Sequence, residues 1–250
     1  MYYNPLMQYE RLAALYDGFM AEVDHDLWAD YVAGFLPAGC SVVECACGTG
    51  EISLRLAKRG FHVTATDISQ DMLMVASQKQ RESGLASADL RFVRMDMRCL
   101  KLHRKADAVV ACCDGVNYLT SREDVKRFFA SAHEMLVPGG LLLFDVSSRY
   151  KLEHVLGNNC FIDNGADAAY MWQNAYDEKT RLISMELSFF KRRGGVYERF
   201  DETHIQRAHS VRELISWLEE TGFTAEAYSC FTREKPKDND ERIQFAAKKV

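Results

Sequence analysis

The sequence predicts an α/β protein: an open, doubly wound, mostly parallel sheet carrying a small antiparallel β insertion. Three observations predict it. Between residues 40 and 146, five short apolar runs alternate with helical patterns, and right-handed crossovers between such runs give a parallel sheet. The stretch Val42-Val43-Glu44-Cys45-Ala46-Cys47-Gly48-Thr49-Gly50 joins a strand to a helix through a turn of small residues. Such a turn lets the backbone approach a ligand closely, beside the free N–H groups of a helix start. After Asp145 the texture changes to longer strand-like alternation broken by hairpin signals.

Composition bounds the rest. At 250 residues, with 48% hydrophobic and 27% charged residues, the chain suits one large domain, or one domain with an insertion. No apolar run approaches the ~20 residues that span a bilayer, so no membrane partner is expected. The start, Met1-Tyr2-Tyr3-Asn4-Pro5, lacks the basic and apolar regions of a signal peptide. The eight cysteines include no C-x-x-C pair, which argues against a zinc site or a disulfide framework. They read as small buried hydrophobes of a reducing, cytoplasmic protein. A net charge of −5 disfavours binding to nucleic acid by phosphate neutralisation.

In chain order, residues 6–35 place Leu12, Leu15, Phe19, Val23, Leu27, Tyr31 and Phe35 at helical spacing. Tyr9, Tyr16 and Asp17 stand out in this part. It reads either as an amphipathic helix packed on the sheet or as a lid over the site, residues 1–39 in all. Pro37-Ala38-Gly39 then precedes the first strand, 40–46. A helix over 51–59 ends at Gly60. The second strand, Phe61–Thr66, terminates at Asp67, 19 residues after Gly48. In nucleotide-binding α/β units a carboxylate there accepts hydrogen bonds from both ribose hydroxyls. Its competing role is helix capping, which Ser69 can perform instead. A helix over 70–83 buries Met72, Leu73, Val75 and Ala76, and a strand over Leu90–Met95 leads to Asp96-Met97.

The strand Ala106–Cys112 leads into Cys113-Asp114-Gly115-Val116-Asn117-Tyr118-Leu119, a loop at the carboxyl edge where α/β ligands bind. Asp114 and Asn117 read there either as site residues or as turn-formers. Ser121, with Asp124 three residues on, opens a helix to 136 like a capping box. Val137-Pro138-Gly139-Gly140 turns into a strand over Leu141–Val146, closing a core over 40–150. Residues 157–169 read as loop. Strands over 170–176, 182–191 and 196–206 form an antiparallel insertion, 151–209, joined by Asp177–Thr180 and by the hairpin signal Arg193-Gly194-Gly195. Ser210 caps a helix over 211–221, and residues 223–230 and 243–247 are the last two strands, so 210–250 returns to the core.

Glu44 to Gly50 resembles motif I of the class I S-adenosylmethionine (SAM)-dependent methyltransferases, (D/E)-x-G-x-G-x-G, with Ala46 at the first glycine. Alanine fits there if φ is negative. The resemblance runs through the whole chain except the insertion. It implies a Rossmann-like sheet of seven strands with an antiparallel last strand between the fifth and sixth. It also implies SAM as cofactor, S-adenosyl-L-homocysteine as product, and cofactor contacts from Tyr16, Glu44, Ala46, Cys47, Gly48, Gly50, Asp67, Ile68, Met72, Asp96, Met97 and Cys113. Asp96 would bond the adenine amino group while the Met97 N–H meets a ring nitrogen. The loop after residue 112 would lie beside the transferring methyl group, and the insertion would cover the acceptor.

The sulfonium activates the methyl group, so the protein must chiefly orient an acceptor and exclude water. For an amine or hydroxyl a general base adds ~10²–10⁴-fold. His204, on Glu202-Thr203-His204-Ile205-Gln206, is the first candidate, with Asp114 and Tyr16 next. No metal ligand set is expected. No Asn-Pro-Pro-Tyr-like element follows residue 112, and the insertion is aromatic-rich, which points to a small-molecule acceptor methylated on N or O. A nicotinamide-dependent oxidoreductase would need G-x-G-x-x-G and Tyr-x-x-x-Lys, neither of which is present. The other alternative is a non-catalytic SAM-binding or partner-binding protein. A monomer and a homodimer are equally compatible with these features.

Overall fold

A computed structural model describes residues 13–20, 22–165 and 168–250, and these form two sheets with flanking helices. In chain order the strands are β1 (Ser41–Cys45), β2 (His62–Asp67), β3 (Leu90–Arg94), β4 (Ala106–Ala111), β5 (Leu136–Ser147), β6 (Cys160–Asn164), β7 (Ala168–Asp177), β8 (Leu182–Arg193), β9 (Val196–Arg207), β10 (Phe223–Ser229) and β11 (Arg242–Lys249). The helices are α1 (Ala13–Phe19), α2 (His25–Ala33), α3 (Glu51–Lys58), α4 (Gln70–Ser83), α5 (Arg122–Met135) and α6 (Val211–Glu220). The main sheet has the order β10-β11-β5-β4-β1-β2-β3. It is parallel from β5 to β3, and β11 runs antiparallel between β5 and β10. The seven strands and the reversed last one are as expected.

Helices cover both faces, which is why β1 and β4 are nearly continuous apolar runs. On one face α5 and α6 bury Phe128, Phe129, Leu214 and Leu218 against β5 and β11, where Phe144 and Phe245 stack at 4.7 Å. On the other, α3 and α2 bury Leu56 and Trp28 against β1 and β2. Each such side chain contributes roughly 1.5–3 kcal/mol by leaving water. Ser69 and Ser121 accept from the N–H three residues on, capping α4 and α5, and Ser210 with Glu213 completes a capping box at α6. The box expected at Ser121 is only half made, because the Asp124 carboxylate turns to Arg98 at 3.0 Å.

Three elements depart from the sequence reading. β5 starts at Leu136 rather than 141, because Gly139 (φ +75°) lets the Pro138-Gly139-Gly140 turn bulge within a strand that stays paired to β4. Residues 160–164 form an edge strand on β7 rather than loop, since their backbone finds a ladder partner there. The helical periodicity of residues 6–35 is divided: Asp24 accepts from the Leu27 N–H at 2.9 Å and starts α2 afresh, leaving Leu27 exposed. Tyr9, Leu12 and the side chains of Leu15 and Phe19 lie outside the described residues.

The second sheet, β6-β7-β8-β9, is antiparallel and enters and leaves the chain between β5 and α6. Asn117, fully buried, holds both junctions. Its amide donates to the carbonyls of Ser147 (3.0 Å) and Arg207 (2.9 Å), and its oxygen accepts from the Ser147 N–H (3.0 Å).

Candidate active site

The site forms where β1, β2 and β4 end. After β1 the chain turns through Ala46 (φ +52°), Gly48 (φ +53°) and Gly50 (φ +80°), closed by a Gly50 N–H bond to the Cys47 carbonyl. Ala46 therefore departs from the negative φ under which alanine fits; a methyl-bearing residue in the left-handed region costs on the order of 1 kcal/mol. A Cβ on Gly48 would meet nothing within 4 Å, so this face of the turn is open. Gly50 serves a different end: a Cβ there would come within 2.9 Å of Phe92 and 3.0 Å of Ala76. It is a packing residue and does not line the cavity.

Asp67, at the end of β2, secures the turn. One carboxylate oxygen accepts from the Gly48 N–H at 2.8 Å and the other from the Ser69 N–H at 2.8 Å. Burial pushes its carboxyl up, although these amides favour the charged form. Ser69 caps α4, so Asp67 is not spent on the helix. Glu44, 2% exposed, accepts a short hydrogen bond from the Ser53 hydroxyl, and burial pushes its carboxyl up to about 8. At the end of β3, burial opposes ionisation of Asp96, but the Arg98 guanidinium and N–H hold its carboxyl below the usual range.

Between these groups lies a cavity of about 260 Å³. Its wall includes Tyr16, Glu44, Ala46, Cys47, Gly48, Asp67, Ile68, Met72, Asp96, Met97 and Cys113, every cofactor candidate except Gly50. It also includes residues not named as cofactor contacts from the sequence, among them Met95, Arg98, Tyr118 and Leu119. Met95 and Leu119 could have been marked as apolar residues flanking Asp96 and closing the loop after β4; Arg98 carried no sequence signal. Tyr16 reaches the cavity from α1 and packs on Phe189 and Phe200 of the second sheet. Burial, then the neighbouring Cys113 and Tyr118, push its phenol well up, so it stays protonated.

The candidate bases separate. Asp114 is directed away from the cavity: its carboxylate takes the Arg242 guanidinium at 3.1 Å and the Gln206 amide at 2.9 Å. Arg242 also holds the fully buried Asp145 and lies over the Trp28 ring. The Asp114 carboxylate is thus engaged by two partners outside the cavity wall. His204, 4% exposed, is one residue removed from the cavity wall: its Nδ1 is 3.4 Å from the Tyr118 hydroxyl. Among the described residues no three His, Cys, Asp or Glu side chains are grouped to hold a metal ion.

Comparison with known proteins identifies the scaffold. A methyltransferase-domain family profile matches residues 42–140, from β1 into the β5 turn. Over 245 residues, 97% of this chain and 98% of the relative, the sequence is 38% identical to "Putative methyltransferase YqeM" of Bacillus subtilis (strain 168). A crystal structure of a SAM-dependent methyltransferase from Clostridium acetobutylicum ATCC 824 superposes with a TM-score of 0.87 at 33% identity, covering 96% of this chain and 98% of that one. The chain belongs to the class I SAM-dependent methyltransferases. A third relative of this methyltransferase matches less of it: a dTDP-3-amino-3,4,6-trideoxy-alpha-D-glucopyranose N,N-dimethyltransferase of Streptomyces venezuelae is 32% identical over 117 residues, 47% of this chain and 46% of that protein.

Proposed function

We propose that this methyltransferase binds SAM in the cavity at the ends of β1 and β2 and methylates a nitrogen or oxygen of a small molecule. The acceptor would be held between that cavity and the inner face of the second sheet. The observation that carries the reading is the fit of the wall to such a cofactor. Asp67 keeps lone pairs for a ribose diol after accepting two amides. The open side of Gly48 gives room beside the turn. Met95, Met97 and Leu119 supply apolar surface for an adenine beside Asp96, and Glu44 offers a buried carboxyl at the turn.

Bound SAM supplies the electrophilic methyl group. The chain's own residues bind, orient and exclude water. Tyr16 closes the cavity from α1, and Asp17 beside it accepts from the Thr49 hydroxyl at 2.6 Å and pairs with Lys79, fastening α1 over the turn. A small-molecule acceptor is supported by the aromatic inner face of the insertion and by the amino-sugar substrate in the name of the Streptomyces relative. Among the described residues no helix is long and apolar enough to cross a membrane. With eight free cysteines, a cytoplasmic location is the consistent proposal.

Calorimetric titration with SAM, S-adenosylhomocysteine and NAD tests the cofactor. Binding of the first two without NAD is expected, and Asp67→Ala weakens it at least tenfold, since charge-assisted hydrogen bonds contribute roughly 1.5–3 kcal/mol. Unchanged affinity in Asp67→Ala would remove the ribose assignment. Methyl-labelled SAM offered to pools of amino sugars, phenols and thioethers then tests transfer.

A further inference from the structure

We propose that Tyr118, His204 and Glu202 form a proton-accepting relay opening on the cavity, so that the acceptor is a molecule that gives up a proton from nitrogen or oxygen. This rests on the methyltransferase reading above. Tyr118 ends the short turn Gly115–Tyr118 and lines the cavity. Its ring stands edge-on to the His204 imidazole, centroids 6.0 Å apart at 79°, with its hydroxyl 3.4 Å from Nδ1. On the far side of the ring, Nε2 is 3.1 Å from the Glu202 carboxylate, whose side chain is 8% exposed. Residues two apart on a strand share a face, so β9 directs Glu202 and His204 inward together.

A carboxylate only accepts, so it selects the tautomer with hydrogen on Nε2 and leaves the Nδ1 lone pair toward Tyr118. The other candidates do not serve: Asp114 is held by Arg242 and Gln206, and Tyr16 stays protonated. In the transfer step the acceptor N–H or O–H bond breaks and its electron pair stays on the acceptor. That proton bonds to the Tyr118 oxygen as the tyrosine's own hydroxyl proton moves to Nδ1. One bond forms for each that breaks, and the new imidazolium faces Glu202 until the proton returns to solvent. Tyr118 is the catalytic group here, while His204 and Glu202 act through it. Among the described residues, Glu202 and Tyr118 are the titratable groups recorded against the ring, with Tyr16 next beyond Tyr118; the sheet row beside His204 holds Met185 and Asn174, which do not titrate.

Nitrogen NMR of the full chain labelled with ¹⁵N-histidine tests the relay, with His204 assigned by its loss in His204→Gln. The neutral ring is expected to carry its proton on Nε2. In Glu202→Gln, whose amide can donate as well as accept, that preference for Nε2 is expected to weaken. A proton on Nδ1 in the unaltered chain, or a tautomer balance that does not move in Glu202→Gln, overturns the relay. In the acceptor screen, transfer to amino sugars or phenols supports it, and transfer confined to thioethers, which carry no labile proton, overturns it. S-adenosylhomocysteine calorimetry run alongside separates the two readings: absence of binding removes the methyltransferase function whatever the tautomer of His204.

Discussion

Glu44 shows what a single side chain costs the folded state. Its carboxyl is pushed from 4.5 to about 8 by burial, so the native protein holds a proton that the unfolded chain has already released. The stability tied to that proton is complete below about 4.5 and is lost as pH rises through about 8. Two other buried groups, Asp145 and His209, act at lower pH. Burial pushes Asp145 up to about 6, with the same sign, and lowers His209 to about 4, so that stability is gained as pH climbs toward 6.5. Between pH 6.5 and 8 Glu44 dominates these three, and the loss across that window is about 2 kcal/mol at ~1.4 kcal/mol per pH unit. Denaturant unfolding of Glu44→Gln between those limits is expected to lack that part of the slope. A variant that keeps the full slope would show that Glu44 is already ionised in the native state. The acid itself was legible from its place before the small-residue turn. The left-handed φ of Ala46 was not, because a residue type reports its preference and not the strain a fold imposes on it.

At the scale of elements, the loop after β4 and the strand β9 behave as one piece. Asn117 joins the carbonyl of Arg207 to both backbone groups of Ser147, Gln206 donates to Asp114, and the Arg207 guanidinium donates to the Thr120 carbonyl at 3.2 Å. Asn117→Ala leaves those buried groups unpaired, which costs about 2–3 kcal/mol. Its denaturation midpoint is expected to fall, and the Ser147 amide to lose protection from hydrogen exchange. Full protection of Ser147 in the variant would assign the junction's stability to the strand ladders instead. The sequence placed the loop and β9 correctly but left Asn117 between a turn-former and a site residue. Its partners lie 30 and 90 residues away, and single-sequence periodicity carries no information at that range. The edge strand β6 escaped for a related reason, since only its pairing to β7 makes Cys160–Asn164 a strand.

Across the whole molecule, Arg242 is where distant parts meet. The guanidinium on β11 holds Asp145 of β5 and Asp114 of the β4 loop, and lies 5.3 Å from the Trp28 ring centroid on α2. Asp114 in turn holds Gln206 of the second sheet. Arg242→Met fills much of the same space but strands two inward carboxylates, and breaking a buried pair this way costs about 3–5 kcal/mol. Cooperative unfolding at a lower denaturant midpoint is expected, and a midpoint within experimental error of the wild type would contradict it. The main sheet was readable from alternating strands and helices because each parallel unit is built locally. The closing pair, Arg242 with Asp145, was not, because an arginine beside a charged surface loop looks solvated until the strand order brings it inward.

The junction at Asn117 makes the second sheet a separable segment. The second sheet leaves the scaffold at Ser147 and rejoins it at Arg207, and one side chain touches both points. A segment whose two ends are neighbours can be lengthened, reshaped or exchanged while the chain on either side keeps its course. On the proposed reading, in which that stretch covers the acceptor, exchanging it alters the acceptor pocket and leaves the cavity at the ends of β1 and β2 in place.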